Sequence, residues 1–318
     1  MNSTVIGFLT EYMEIYQSIG DIYREAAYTK AIPVIRRLPY KITKENVMDL
    51  AKLRGIGKGI TEKITSFLDG ITTDFDNLKK SPLVIAHKEL GSILGVGPKT
   101  VNDWVNIKIT TIPKLKKAIS EGRVTLNSSQ TEGLKYYDDL KKRIPRSEVR
   151  IIGEFIDKTL RRVTGDNFNS LVFMEIVGSY RRGSPDSGDI DIIITSDTYK
   201  PSLLNEIKSE LMKCKCFVSS ILSGKERTTI LLRGPTGIVR QTDLLYVKKE
   251  SYPAALLYFT GGWEFNEYMR GFAKSKGFRL NQKGLFKLEK TKLIPINVKS
   301  EEEIFEVIGM KYLDPKQR

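Results

Sequence analysis

Apolar residues fall at helical spacing from the start of the chain. Val5, Phe8, Leu9, Tyr12 and Ile15 share one face, and the spacing predicts helices through residues 5–39. A second helix is expected from about Ile22 to Leu38, with Pro33 marking a kink or a boundary. The helical pattern is then punctuated twice by glycines. LRGIGKGITEKITSFLDG, from Leu53, places Gly55, Ile56 and Gly57 in a tight turn ahead of an amphipathic helix. LGVGPKTVNDWV repeats the arrangement with Gly95, Val96 and Gly97, and Pro98 opens the next helix. Each turn is followed by a lysine, Lys58 or Lys99.

Further helices are expected within 107–123, in LNSSQTEGLKYYDDLKKRIPRSEV up to Pro145, and from about Glu148 to Arg162. Asp166 to Ser170 read as a turn-rich gap and a domain boundary. Beyond it the period changes to that of strands, at 171–177, 188–194, 228–233 and 238–247, with a helix at 202–213. Residues 253–318 read as α+β, and the acidic run Glu301 to Glu303 opens a last helix whose dipole it complements.

Composition changes this picture in three ways. The net charge of +14 is positive in every quarter of the chain, which suits a long polyanion lying across several domains better than a basic arm. A solvated basic surface is the alternative. The only cysteines, Cys214 and Cys216, are too close for an unstrained bridge on one strand or helix, so a reducing, intracellular compartment is expected. His87 is the only histidine, which excludes Cys/His zinc sites and Ser-His-Asp triads and leaves His87 a structural role. No apolar stretch approaches the length of a membrane span.

Acid, base and metal chemistry must therefore come from Asp, Glu, Lys or Tyr. GSYRRGSPDSGDIDIIIT, Gly178 to Thr195, puts a Gly-Ser turn and two arginines before a strand bearing Asp189 and Asp191. Residues two apart on a strand share a face, roughly 6–7 Å apart, so the carboxylates repel unless a cation lies between them. Divalent metal with phosphate oxygens fits that need, and the turn's N–H groups with Arg181 and Arg182 suit the rest of a triphosphate. Asp243, between apolar residues of IVRQTDLLYV, is a candidate third carboxylate. The paired glycine turns look like helix-hairpin-helix units, which hold DNA phosphates without reading sequence; a purely structural pair is the other reading.

Taken in order, both hairpin turns, GLKYYDDLKKRIPR, GSYRRGSPDSGDID, the Asp243 strand and LLYFTGGWEFNEYMR resemble the family X DNA polymerases in their compact layout. The resemblance implies a multidomain fold: an all-α N-terminal half with two helix-hairpin-helix motifs, an α+β nucleotidyltransferase palm with a mainly antiparallel sheet, and a small α+β C-terminal subdomain. The expected divisions are 1–82, 83–147, 148–252 and 253–318.

It further implies that Asp189, Asp191 and Asp243 hold two Mg²⁺ ions, which Mn²⁺ can replace. Gly178, Ser179, Arg182, Gly188 and Arg143 match triphosphate contacts. Tyr258, Phe259 and Gly261 match the segment that packs on the nucleotide sugar, and Asn266 and Arg270 face the nascent pair. Carbonyls of Leu53, Ile56, Ile93 and Val96 match sites for a monovalent cation, Na⁺ or K⁺, against a DNA phosphate. Gly55, Gly57, Lys58, Gly95, Gly97, Lys99 and Arg240 are the implied DNA contacts. Lys63 matches the Schiff-base lysine of a 5′-deoxyribose-phosphate lyase, with Lys58 and Lys52 as neighbours to depress its pKa.

The implied substrates are gapped or nicked duplex DNA and a dNTP. The implied protein is a monomer with no membrane association, with DNA ligase or another repair protein as partner. Its expected location is the nucleus or a viral replication site.

Departures from the family pattern fall at Ser18, Ile19 and Gly59 in the lyase region, at Gln241 where an arginine is usual, and at Gln282. The connection between the strands ending near Arg233 and starting near Ile238 is short, which favours a template-dependent enzyme over a terminal transferase. No BRCT-like segment is expected ahead of the lyase region. The competing readings are a poly(A)- or CCA-type nucleotidyltransferase and a non-catalytic DNA-binding scaffold.

Overall fold

The computed structural model describes residues 2–165, 172–290 and 292–318. The expected gap at Asp166 to Ser170, and Leu171 at the start of the first expected strand, lie outside the described residues. The chain divides into two compact units, Met1–Leu134 and Lys135–Arg318. Among the described residues no helix is long and apolar enough to cross a membrane.

The first unit is helical. α1 (Ser3–Ser18) buries Val5, Phe8, Leu9 and Tyr12 of the expected face together with Met13 and Tyr16, while Ile15 is only half-buried. α2 (Ile22–Arg36) starts where the Asp21 side chain accepts the Arg24 N–H at 3.0 Å. Pro33 does not end α2. Ile32 and Ile35 flank it in the core, and their burial carries the helix one turn past the missing N–H. Tyr12 stacks on Tyr28 at 5.2 Å, and Phe8 stacks on Phe67 of α3 (Lys58–Leu68) at 4.3 Å. α4 (Thr73–Lys79) adds Phe75, 4.6 Å from Tyr12.

The repeat is exact at the level of hydrogen bonds. Leu53 N–H bonds Leu50 O and Ile56 N–H bonds Leu53 O; Ile93 N–H bonds Leu90 O and Val96 N–H bonds Ile93 O. Gly55 and Gly95 take φ of 104° and 83°, which L side chains rarely adopt. Gly57 and Gly97 then cap α3 and, after α5 (Pro82–Leu90), α6 (Pro98–Asn106). His87 is buried in α5 and its Nε2 lies 2.9 Å from Asn102 Oδ1, the structural role foreseen for it. α7 (Ile112–Ser120) follows. α8 (Ser128–Lys135) packs on the second turn, where a Cβ on Gly133 would lie 2.2 Å from Leu94 O.

The second unit opens with α9 (Tyr137–Leu140), β1 (Ile144–Pro145) and α10 (Arg146–Thr164). Residues 137–145 are bonded within this unit: Val239 N–H donates to Asp139 Oδ2 at 3.0 Å, and β1 pairs with β3 (Asp186–Ser187). The expected division at 147 thus lies inside the second compact unit, which begins at Lys135.

The main sheet contains β2 (Val172–Ile176), β4 (Ile190–Ser196), β5 (Phe217–Ser223), β6 (Arg227–Arg233) and β7 (Val239–Lys248) in the order β2-β4-β7-β6-β5. Between β2 and β3 lies the short helix α11 (Gly178–Arg181). β4 and β7 are parallel; the other pairs are antiparallel. Ile190, Ile192 and Ile194 point to the face covered by α10 and α12 (Leu203–Leu211). Asp191 and Ile193 take the opposite face, where Ala255 and Leu256 of α13 (Tyr252–Thr260) join Ile193.

β5 has no counterpart in the predicted strands. Its serines and two register irregularities at the sheet edge break the alternation that marks a strand. The cysteines also differ from expectation: Cys214 and Cys216 form a disulfide. They lie in the turn between α12 and β5, not on a strand or helix, and this brings their Cα atoms to 5.2 Å, a normal bridging distance.

The chain closes with α14 (Trp263–Ser275), the antiparallel strands β8 (Phe278–Asn281), β9 (Gly284–Glu289) and β10 (Lys292–Ile296), and α15 (Glu301–Ile308), around a core that includes Leu257, Met269, Leu285 and Phe305.

Candidate active site

The parallel register places Asp191 directly beside Asp243. Asp189, two residues earlier, comes to the same side, and the three carboxylates have oxygens within 4.8 Å of one another. Burial raises the Asp189 carboxyl above its usual range, and the charge of Asp243 adds to this. Asp191 is pushed up to about 7, first by burial and then by Asp189 and Asp243. Three carboxylates crowded together, from exposed Asp189 through half-buried Asp191 to buried Asp243, are unfavourable alone, and hard oxygen donors at this spacing suit Mg²⁺ or Mn²⁺.

The Gly-Ser turn is built against this cluster. Gly178 has φ of 59°, and a Cβ there would lie 2.6 Å from Asp191 Oδ2. Only glycine admits both the backbone and the carboxylate. Gly178→Ala is expected to displace Asp191 and weaken Mn²⁺ binding by the three carboxylates about ten-fold, measured by titration of free Mn²⁺.

Around the turn, Ser179 Oγ donates to Ser187 Oγ at 2.8 Å. Arg182 Nη1 donates to Thr260 O at 2.8 Å, tying the turn to the end of α13. Arg143 bonds Asp186 through Nε and Nη2, and its Nη1 sits over Gly188, 3.2 Å from where a Cβ would be. Gly178, Ser179, Arg182, Gly188 and Arg143 are thus brought together.

Arg181 is set apart: it bonds Glu175, Thr260 Oγ1 and Glu301. Glu301 also receives Arg318 Nη1 at 2.6 Å and is 4% exposed. The sequence suggested for Glu301 only a helix-dipole role; it is a buried ion-pair centre, a relation across 120 residues that no local pattern carries.

Arg240 is not a DNA contact here. It is 2% exposed, with Nε and Nη2 on the two oxygens of Glu148 at 3.0 and 2.9 Å and Nη1 on Lys142 O at 2.9 Å. A guanidinium buried and bonded in this way has no face left for a phosphate. Two residues absent from the sequence-based set touch the cluster instead. Thr229, opposite Asp243 in the β6–β7 register, donates to Asp243 Oδ1. Arg227 Nη2 donates to Asp243 Oδ2 at 3.1 Å, beside Gln241 Nε2 at 3.0 Å. Strand β6 was foreseen at 228–233, but its register against β7 was not.

Tyr258, Asn266 and Arg270 line an open cavity of about 920 Å³ together with Trp263, Lys274 and Arg279. Asn266 Nδ2 donates to Tyr258 O at 2.7 Å. Phe259 turns away to pack with Val177 and Ile193. Gly261 lies against Phe265, whose Cδ1 would be 2.8 Å from a Cβ. Gln282 is exposed in the β8–β9 turn.

In the first unit Gly55, Gly57, Lys58, Gly95, Gly97 and Lys99 are all exposed on the two turns. The carbonyls of Leu53 and Ile93 each accept the turn hydrogen bond, while Ile56 and Val96 donate to them. Lys63 is half-buried with Nζ 5.0 Å from the centre of the Tyr12 ring, and lines a cavity of about 580 Å³ with Tyr16, Arg24, Tyr28 and Lys30. Lys52 bonds Asp49 at 2.7 Å and Lys58 pairs with Glu62 at 3.7 Å. Both lysines, expected to act on Lys63, are exposed and paired with carboxylates on their own helices.

Four family models match in succession: a helix-hairpin-helix domain over residues 1–72, the fingers domain of DNA polymerase lambda over 88–141, the DNA polymerase beta palm over 143–234 and the DNA polymerase beta thumb over 255–318. This chain belongs to the family X DNA polymerases. Curated relatives include DNA polymerase lambda of Arabidopsis thaliana, 28% identical over all of this chain and 62% of its own length. DNA polymerase lambda of Rattus norvegicus is 27% identical over 98% of this chain and 56% of its own. This family X chain thus spans about three-fifths of the length of those relatives. Its helical N-terminal region and its mainly antiparallel palm sheet are the family's fold.

Proposed function

We propose that this chain is a template-dependent DNA polymerase that fills short gaps in base-excision-type repair, adding dNTPs to a primer 3′-hydroxyl by two-metal nucleotidyl transfer. The observation that carries the reading is the convergence of Asp189, Asp191 and Asp243 within 4.8 Å beside the Gly178 turn. Two divalent ions held by these carboxylates would make the 3′-hydroxyl more acidic and offset the charge of the triphosphate. The protein's own part is to position. Ser179, Arg182, the Gly188 backbone and Arg143 surround the place for the triphosphate. Tyr258, Asn266 and Arg270 line the cavity offered to the nucleotide and its template partner.

The hairpin turns would offer their exposed glycines and lysines to the phosphates of gapped or nicked duplex, and the Leu53, Ile56, Ile93 and Val96 carbonyls would hold Na⁺ or K⁺ there. A monomer in the nucleus or at a viral replication site, working with DNA ligase, fits this role. Primer extension on a one-nucleotide gap, with dNTPs against NTPs and with the template strand present or absent, tests the reading. Incorporation of NTPs, or extension without template, would point to the poly(A)/CCA-type alternative.

The second activity, 5′-deoxyribose-phosphate removal, rests on Lys63 in its aromatic and basic cavity. There the amine would attack the sugar C1′, lose water to give a Schiff base, and permit elimination of the 3′ phosphate ester. Borohydride on an incised abasic duplex should trap wild type covalently and trap Lys63→Ala at least about ten-fold less. An untrappable wild type would leave the polymerase alone.

A further inference from the structure

The carboxylate cluster already holds a cation of the protein's own. Arg227 stands on β6 two residues from Thr229, which the register sets opposite Asp243, so the two side chains reach Asp243 from the same face. Thr229 takes Oδ1; Arg227 and Gln241 together take Oδ2. A carboxylate oxygen has two lone-pair positions, and both of those on Oδ2 are filled. Arg143 and Arg182 also act on the cluster electrostatically, but they direct their hydrogen bonds to Asp186 and Thr260. Arg227 is the one of the three in ion-pair contact with a member of the triad.

The partners are unequal in mobility. The Asp243 side chain is 3% exposed and fixed in mid-strand, whereas that of Arg227 is 54% exposed. A half-solvated guanidinium leaves a contact at small cost, because water replaces the carboxylate. A metal ion using Oδ2 must remove one of its two donors, and the exposed cation is the one that repels it.

We propose that Arg227 is the exchangeable counter-ion of the triad: it occupies Asp243 Oδ2 in the metal-free protein and gives that oxygen up when a divalent ion binds. Arg227 is on this account a positioning residue. It keeps the empty cluster together, and it competes with the metal. The inference rests on the two-metal reading above and adds to it a built-in antagonist that the sequence motif does not contain.

The test is Mn²⁺ binding by the 318-residue chain, read by electron paramagnetic resonance of free Mn²⁺, with melting temperature followed in parallel. Arg227→Ala should bind Mn²⁺ about five-fold more tightly than wild type, the size expected for loss of a half-exposed ion pair. Arg227→Lys should restore affinity toward the wild-type value. In EDTA Arg227→Ala should melt below wild type, and saturating Mn²⁺ should close or reverse that gap. Arg227→Ala with unchanged or weaker Mn²⁺ binding, while Asp189→Asn still removes it, would overturn the counter-ion role alone. Mn²⁺ binding that Asp189→Asn leaves intact would overturn the metal-site reading, and this inference with it.

Discussion

On the proposed function, Asp243→Ala is expected to lower single-nucleotide insertion on a gapped duplex at least about 10³-fold, with affinity for that duplex within about two-fold of wild type. The asymmetry follows from where Asp243 sits. Its side chain is 3% exposed at the centre of the palm sheet, so it offers nothing to a DNA backbone. It is nevertheless the member of the triad that comes from a second strand, and without it Asp189 and Asp191 close only one side of a cation site. Alanine removes an oxygen donor and also leaves Thr229, Gln241 and Arg227 without their acceptor. Quench-flow insertion and fluorescence anisotropy with labelled gapped DNA measure the two halves. Insertion reduced less than ten-fold would remove Asp243 from the chemistry.

Arg240→Ala is the change expected to cost most in stability. Glu148 and Arg240 are each 3% exposed at the side chain and joined by two parallel hydrogen bonds, with Thr236 Oγ1 adding a third to Glu148 at 3.2 Å. Removing the arginine strands a buried carboxylate, and a broken buried pair costs about 3–5 kcal/mol. Packing around Glu148 is tight enough that a Cβ on Gly234 would lie 2.1 Å from its Oε1, so relaxation around it is limited. The double replacement Glu148→Leu with Arg240→Met should recover most of the loss, because both charges then leave together. Urea denaturation of the two single variants and the double closes the cycle. A single-variant loss under about 1 kcal/mol would mean that water reaches the pair.

The fold was legible where the chemistry is local. Helix faces came from spacing, as in Val5 to Tyr12, and the two glycine turns declared themselves because φ near 83° and 104° admits little else. The triad was legible because Asp189 and Asp191 share a strand face and Asp243 stands alone in an apolar run. What escaped is non-local. The register that sets Thr229 against Asp243, the diversion of Arg240 to Glu148, and the convergence of Arg181 and Arg318 on Glu301 depend on pairings that no window of sequence contains. β5 escaped for the opposite reason: as an edge strand with bulges it has a weak local signature. The disulfide followed from a turn where a strand or helix had been assumed.

The single parallel pairing in the palm sheet bears on how this polymerase comes into being. Hairpin strands such as β6 and β7 can zip as they are made, but β4 must wait for β7, which is threaded beside it only after β5 and β6 exist. Closing so long a loop is entropically slow and comes late in assembly. A nascent chain therefore carries Asp189 and Asp191 well before it can gather a third carboxylate. Assembly of the three-carboxylate cluster is deferred until residues up to Lys248 have left the ribosome and the sheet has closed.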